Sequence, residues 1–486
     1  MKNWKKWIAA ILALLLLFSL SACGKKPKGE GEKELSASEQ SDVRLPYSRE
    51  DGINPYTAKS LLNEPIMPLL YQGLYYLDST YREQPEIADH MSQIGTALTV
   101  TLSDNAVFSD GSKIDAGDIV YSFQKAKKST YYSGLLTTFR SAAEESSNAV
   151  TFEMTNANRY AVQNLTFPVV KQGTADKGDS VPTGSGQYKY SVSDMGGMLE
   201  KNKECKQERT ADGKHRRQSG SVNKVYLSNI AETTNLMTNL AIGNINAVFD
   251  DLAAGPVQRV QVNYCQQPMN NIVILKFGSN ETLQNAKLRQ DISVLLDRSS
   301  LISIGLNGYG KAADLPFQPR WYATKGIRTA KPGKDRAKLE LQKAFKGKTL
   351  SILTDADNPF KQEIASELQD ELQTMGIRTT ISAQNYSSYT SAANGTGYDL
   401  ILAEYKLNDG MDLSAVMPDK ASQKVYANVI NGKVSLKKFA AWYQKHMPFI
   451  TIGYRGGMLA YSKDLKEKPN PLPGDPYADV SKWQVQ

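Results

Sequence analysis

The sequence predicts an α/β fold with more than one domain. Its 486 residues exceed the length at which a single hydrophobic core usually stops growing. Residues 349–354 and 377–381 are predicted strands, joined by an amphipathic helix over 359–375. A strand–helix–strand connection of this length indicates parallel pairing. Residues 98–103 alternate between apolar and polar side chains, which is typical of a half-buried strand.

The helix that follows this first strand carries its own start signal. The tripeptide at 109–111 (SDG) has turn chemistry, because Gly tolerates positive φ and Asp can hydrogen-bond the backbone locally. Asp115 is a plausible N-cap with Asp118 at the N3 position, ahead of apolar residues at helical spacing up to Phe123. Strand, turn and capped helix are therefore expected over 98–123.

Composition limits the classes of function. Hydrophobic residues make up 41% and charged residues 22% of the chain, which is ordinary globular usage. The net charge is +8, or 8 − 3 = +5 without the three lysines of the first 22 residues, which is too mild and dispersed to indicate a nucleic-acid partner. The three histidines, His90, His215 and His446, have no close spacing, and we expect no metal site. Cys205 and Cys265 allow one disulfide, with their redox state left open.

The first 22 residues have the features of a secretory signal peptide. A lysine-rich start precedes an apolar run over 7–20, too short and wrongly flanked for a typical transmembrane helix. The run ends at LSACG (20–24), which resembles a bacterial lipobox. That resemblance implies that Cys23 becomes the lipidated first residue of a protein anchored at the extracytoplasmic face of the cell membrane. The alternative is an ordinary signal peptide with a cysteine nearby.

Several motifs follow the polar stretch 24–43, which is predicted to be a flexible tether. An Asn54-Pro55 turn leads into a predicted helix over 63–70, then YxGLxxLD over 71–78, then PEIA over 85–88. With the 98–123 segment behind them, these motifs resemble the amino-terminal region of the family 5 extracellular solute-binding proteins. Members of this family are the peptide- and nickel-binding receptors of ABC importers.

Later segments extend the resemblance to nearly the whole mature chain. Residues 182–188 (PTGSGQY) resemble the family's P-x-G-[ST]-G-x-Y segment, and the strand 271–277 with its following helix resembles the opening of the second lobe. The sequence differs from the family pattern at two positions of this second region. Gly278 replaces an asparagine common in the family, and Asp291 replaces an alanine.

The resemblance implies a two-lobed, periplasmic-binding-protein-like fold of the large, cluster C type, with an extra subdomain in the first lobe. A hinge between the lobes is expected near 250–265 and 450–470. We also expect surface loops over 194–223 and a last short strand over 479–486. The predicted division is as follows: signal peptide 1–22, lipidated Cys and tether 23–43, first lobe 44–255 with a subdomain at about 60–180, second lobe 256–465, and a return to the first lobe over 466–486.

Catalysis is not supported by any motif. The sequence has no hydrolase triad pattern, HExxH, P-loop or cysteine pair at zinc spacing. The GSG at 184–186 is not a nucleophile elbow, because the spacing is wrong for G-x-S-x-G. We therefore expect a binding protein rather than an enzyme, with no cofactor.

Five residues are candidates for ligand binding. In the family's peptide receptors an Asp after a Trp in the second lobe holds the ligand α-amine. Here Tyr405 stands at the Trp position, Asn408 at the Asp position, and Asp409 one residue later. Either Asp409 takes the role after a local shift, or the ligand has no free amine. Tyr131 and Tyr132 lie where the family places an aromatic wall, although rim or core packing is the alternative.

The resulting expectation is a monomeric receptor that captures oligopeptides or dipeptides and delivers them to an ABC permease. Two alternatives remain open. One is a receptor for another small solute, such as a nickel chelate or a sugar. The other is a peptide-sensing lipoprotein that is not used for transport.

Overall fold

The computed structural model describes residues 42–486 except 178–179, 195, 215, 329–332 and 396. The predicted signal peptide, Cys23 and most of the tether lie outside the described residues. Among the helices that are described, none has the length and apolar character needed to cross a membrane.

The first half of the described chain is mostly strands, whereas strands and helices alternate between residues 310 and 406. The strands are β1 Val43–Tyr47, β2 Tyr75–Leu77, β3 Glu83–Pro85, β4 Ala88–Ile94, β5 Ala97–Leu102, β6 Phe139–Ser146, β7 Ala149–Met154, β8 Tyr188–Ser193, β9 Gly196–Lys201, β10 Gln207–Glu208, β11 Arg216–Arg217, β12 Lys224–Asn229, β13 Ala247–Asp250, β14 Asn263–Phe277, β15 Gly310–Ala312, β16 Thr349–Asp355, β17 Arg378–Gln384, β18 Leu400–Lys406 and β19 Ile450–Tyr461. The α-helices are α1 Met67–Leu70, α2 Ala116–Ala126, α3 Leu236–Ala241, α4 Ala286–Leu295, α5 Arg298–Gly305, α6 Lys334–Ala344, α7 Pro359–Thr374, α8 Tyr386–Ala392, α9 Lys420–Ile430 and α10 Leu436–His446.

A seven-stranded sheet organises the second lobe. Its strands run in the order β13-β19-β14-β18-β16-β17, and β15 pairs with β19. Strand β16 pairs in parallel with both β17 and β18, so the predicted parallel strand–helix–strand unit is confirmed. Asn358 is the N-cap of helix α7, and its side chain accepts from the Lys361 backbone N–H; the helix buries Ile364 and Leu368. The mixed sheet and its covering helices form an α/β lobe.

Two smaller sheets build the first lobe. One has the order β1-β12-β9-β8 and the other β4-β5-β7-β6. The predicted alternation over 98–102 is confirmed, because the apolar residues of β5 are buried. Asp115 caps α2: its side chain accepts from the Asp118 backbone N–H at 3.1 Å, and the Asp118 carboxylate accepts from the Asp115 N–H at 3.1 Å. This reciprocal capping box fixes the start of the helix.

Two large hydrophobic cores correspond to the two lobes. The long strands β14 and β19 contribute to both. Cys265 and Leu459 pack in the first core, whereas Ile272 and Ile452 pack in the second. These two antiparallel strands therefore carry the chain between the lobes of the expected two-lobed fold. The boundaries predicted from the sequence remain a prediction.

Two local predictions are wrong, and one open question is answered. The segment 194–223 is not only surface loops, because β9 lies between β8 and β12 in the sheet and buries Met198 and Leu199. Near the C-terminus a 3₁₀ helix over Val480–Lys482 replaces the predicted strand, and Val485 forms a single bridge to Leu465. Cys205 and Cys265 are both free and buried.

Candidate ligand-binding site

A cavity of about 190 Å³ lies between the two lobes. Thr166 and Tyr131 line it from the first lobe, and Asn270 and Asp409 line it from the second. Drug-sized ligand sites usually measure about 300–1,000 Å³, so this cavity is small. The lobes also contact one another outside it, for example where the Arg159 N–H donates to the Ile430 carbonyl at 2.9 Å. The structure therefore shows a closed cleft.

Asp409 lies in this closed cleft, on the loop that follows β18. Thr166 Oγ1 donates to Asp409 Oδ2 at 2.7 Å, and Asn270 Nδ2 donates to Asp409 Oδ1 at 3.1 Å. The neighbouring Gly410 N–H donates to Asn164 Oδ1 at 2.8 Å. Asp409 and Gly410 thus join the loop to the opposite lobe through hydrogen bonds.

Two carboxyl groups of the cavity, those of Glu64 and Asp409, are desolvated. Desolvation raises the pKa of Asp409 above its ordinary value, although the hydrogen bond from Thr166, the charge of Lys406 and the hydrogen bond from Asn270 oppose this. Desolvation also raises the pKa of Glu64, with Lys406 opposing and Asp251 adding to the effect. A positively charged ligand would favour the ionised form of both carboxyl groups.

The structure brings together three of the five predicted binding residues. Tyr131, Tyr132 and Asp409 line the cavity, whereas Tyr405 and Asn408 are absent from the described lining. Tyr405 lies in β18 opposite Ile272 and packs against the second core. The binding roles themselves stay predictions.

Asn408 has a different task, which is to shape the loop. Its carbonyl oxygen accepts from the Met411 N–H at 3.0 Å, and its side-chain Oδ1 accepts from the Asp412 N–H at 3.1 Å. Met411 has φ 56°, in the left-handed region. The turn thus engages Asn408 and leaves Asp409, the next residue, in the cavity.

Sequence reasoning missed a buried ion network on another wall of the cavity. Arg209 Nε donates to Glu86 Oε1 at 2.7 Å, and Arg209 Nη1 donates to Asp475 Oδ2 at 2.8 Å. The Arg209 Nη2 donates to Glu86 Oε2 at 3.0 Å. Because the three residues are far apart in the chain, no local motif could have predicted their contact.

Four buried acceptor atoms on cavity-lining residues have no hydrogen-bond partner in the described part of the chain. They are Gln267 Oε1, Asn270 Oδ1, Asn271 Oδ1 and Asp475 Oδ1. The amide nitrogens are engaged: Gln267 Nε2 donates to the Leu472 carbonyl at 2.6 Å, and Asn271 Nδ2 donates to Glu404 Oε1 at 2.7 Å. Because the amide nitrogen of each of these side chains already donates a hydrogen bond, the atom without a partner is the amide oxygen. Buried acceptors of this kind favour a ligand with N–H donors.

Among the described residues, no three or more His, Cys, Asp or Glu side chains are grouped so that they could hold a metal ion.

Comparison with known proteins decides the family. The model of a family described as bacterial extracellular solute-binding proteins, family 5 Middle, matches residues 82–425. The chain belongs to this family. Its role is therefore solute binding, and the resemblance in the motifs between 54 and 412 is confirmed at the level of the family.

Individual family members are distant in sequence. The oligopeptide-binding protein AppA of Bacillus subtilis (strain 168) is 21% identical over 446 residues, covering 80% of this chain and 78% of the relative. Among solved structures, the unliganded open form of the periplasmic murein tripeptide binding protein MppA has a TM-score of 0.69 at 15% identity, covering 92% of this chain and 98% of that one. NikA from Brucella suis, in complex with Fe(III)-EDTA, has a TM-score of 0.63 at 14% identity, covering 92% and 100%. These structures confirm the periplasmic-binding-protein fold.

Proposed function

We propose that this solute-binding protein captures short peptides in the cavity between its lobes and delivers them to an ABC permease in the membrane. The observation that carries this proposal is the position of Asp409 in the closed cleft, bonded to Thr166 and Asn270. An ionised carboxylate has about four lone-pair sites, so these two donors leave room for a ligand ammonium. Asp409 rather than Asn408 then takes the role of amine anchor.

The unpartnered acceptors support a ligand rich in N–H groups. A peptide offers backbone N–H donors as well as its terminal amine, and both could reach Gln267, Asn270 and Asn271. A sugar offers hydroxyl donors but no charge for Asp409. An anionic metal chelate would meet the carboxylates of Glu64, Asp251 and Asp409. The charge of the site thus favours a peptide over a chelate.

The small cavity favours a short ligand over a long peptide. At about 190 Å³ in the closed conformation, it is below the usual range for a drug-sized ligand. The similarity to the oligopeptide-binding protein of Bacillus subtilis and to a murein tripeptide binding protein agrees with a peptide ligand.

The signal sequence supports a lipid-anchored protein. The resemblance of LSACG at 20–24 to a lipobox supports Cys23 as the modified residue, and acyl chains contribute about 0.8 kcal/mol per buried methylene to membrane binding. Expression of the full chain and of Cys23→Ala, followed by detergent phase partitioning, tests this point. The unaltered protein should enter the detergent phase and the variant should not.

The peptide assignment is tested by thermal unfolding of the mature protein after removal of carried-over ligand by unfolding and refolding. Pools of peptides, sugars and metal chelates are compared. A ligand at a hundred times its dissociation constant adds about 2.7 kcal/mol of stability, which gives a visible shift in Tm. A shift with peptides supports the proposal. A shift with sugars or chelates alone would overturn it while leaving the family intact.

A further inference from the structure

We propose that the cleft selects cationic peptides, with a second site for positive charge formed by Glu64, Asp251, Tyr131 and Tyr132. This inference rests on the proposed peptide-binding function and specifies the class of peptide. The second site is separate from Asp409, which receives the terminal amine.

The first observation is the state of Glu64. Glu64 is the first residue of the 3₁₀ helix Glu64–Ile66, and it lines the cavity. Among the residues that the structure describes, no hydrogen bond or ion pair engages its side-chain carboxylate. A desolvated carboxylate without a partner is costly, and a ligand cation would offset that cost.

The second observation is the balance of charge around the cavity. Acidic lining residues outnumber basic ones: the acids are Glu64, Asp251, Asp409 and Asp475, and the bases are Arg209 and Lys406. Arg209 is committed to Glu86 and Asp475 in the buried network. Lys406, the other basic lining residue, forms no ion pair among the described residues. It interacts electrostatically with both Glu64 and Asp409. One lysine does not neutralise three carboxylates, so a single ammonium at Asp409 leaves negative charge in the cavity.

The third observation is independent of these acidic side chains. Gln267, Asn270 and Asn271 are each more than nine-tenths buried, and the side-chain oxygen of each lacks a partner in the described chain. All three line the same cavity as Glu64. Their oxygens are acceptors, and a ligand whose N–H groups reached them would supply the missing partners.

The fourth observation is the aromatic wall next to Glu64. The rings of Tyr131 and Tyr132 lie 6.5 Å apart between centroids, at 68° to one another. Tyr131 Oη donates to the Lys59 carbonyl at 2.6 Å, which holds that ring in place. Aromatic faces attract alkylammonium and guanidinium groups, and the attraction strengthens when the groups are desolvated. A carboxylate beside two tyrosines therefore suits a lysine or arginine side chain.

Calorimetric titration of the mature protein tests the inference with three peptides that differ at one position: Ala-Lys-Ala, Ala-Nle-Ala, where Nle is norleucine, and Ala-Glu-Ala. Norleucine retains the aliphatic chain of lysine without the ammonium group. We expect the lysine peptide to bind at least tenfold tighter than the norleucine peptide, and the glutamate peptide to bind weakest; tenfold corresponds to about 1.4 kcal/mol.

The variant Glu64→Gln tests whether the preference for the lysine peptide arises at the second site. This variant should lose most of the advantage of the lysine peptide while binding the norleucine peptide as before. Glu50→Gln, at an exposed glutamate outside the cavity, is the matched control and should behave like the unaltered protein. Equal affinity for the lysine and norleucine peptides, or a preference that survives in Glu64→Gln, would overturn the inference but retain the peptide function. Binding of none of the three peptides, together with no response to peptide pools, would overturn both.

Discussion

Thr166 donates a hydrogen bond of 2.7 Å to Asp409 across the cleft, so the two lobes meet at the carboxylate that we assign to the ligand amine. The other carboxylate oxygen accepts from Asn270 on the side of Asp409's own lobe. In the proposed binding mode, closure and ligand recognition therefore share one side chain. This arrangement predicts that residues at the contact alter affinity through the closed state as well as through the ligand.

Thr166→Val removes the donor and keeps the shape of the side chain. A hydrogen bond to a charged group contributes about 1.5–3 kcal/mol, so we expect peptide affinity to fall by roughly tenfold or more because closure becomes less favourable. Calorimetry gives the affinity, and small-angle scattering of the mature protein reports whether the open form increases. Unchanged or higher affinity would show that Thr166 competes with the ligand.

Arg209→Met should destabilise the protein strongly. The substitution leaves the carboxylates of Glu86 and Asp475 buried without their shared cation, and breaking such a buried pair typically costs about 3–5 kcal/mol. Arg140→Met is the matched control, because its ion pair with Glu153 is exposed and such pairs contribute about 0–1 kcal/mol. Urea unfolding measures both. Equal losses in the two variants would contradict the structural role of the network.

Gly278→Ala should be destabilising for a steric reason. A methyl group on Gly278 would lie 1.7 Å from the Tyr398 carbonyl oxygen, whereas one on Gly134 would have no neighbour within 4 Å. We expect Gly278→Ala to cost about 1–3 kcal/mol and Gly134→Ala to be close to neutral. Thermal unfolding distinguishes them.

The raised pKa of the Glu371 carboxyl group should make the stability of the protein depend on pH. Desolvation, together with the charges of Asp297 and Glu367, raises its pKa to about 7, against the hydrogen bond from the Asp297 N–H and the charge of Arg298. Because the folded state binds the proton more tightly than the unfolded state, this group lowers stability as the pH rises from about 4.5 to 7.

Glu371→Gln should therefore be more stable than the unaltered protein at pH 8, by an amount on the order of 1 kcal/mol once solvent screening is allowed for. The difference should vanish in acid. Denaturant unfolding at several pH values checks this, with Glu363→Gln, an exposed position on the same helix, as the control. A difference that grows towards low pH would contradict the assignment.

Local sequence signals were sufficient for much of the fold. The alternation of β5, the box formed by Asp115 and Asp118, and the amphipathic α7 each depend on neighbours within a few residues. Strand β9 was missed because Met198 and Leu199 lie in a mostly polar, glycine-containing segment. Its place is set by pairing with β8 and β12, which a local pattern does not contain.

The candidate site was only partly predictable, because its parts converge from distant positions. The family pattern located the loop after β18 but could not decide between Asn408 and Asp409. The hydrogen bonds of the turn settle the geometry by engaging Asn408. Glu64, Arg209 and Asp475 had no individual signal, since segments far apart in the chain bring them to the same cavity.

Isothermal titration of Asp409→Asn, with a bound peptide in its free and amino-acetylated forms, tests the central claim most directly. The unaltered protein should prefer the free amine by about ten- to a hundredfold, in line with the worth of a charge-assisted hydrogen bond. Asp409→Asn keeps an acceptor for Thr166 and removes the charge, so it should bind both forms with similar, weak affinity. A variant that retains the full preference for the free amine would contradict Asp409 as the anchor.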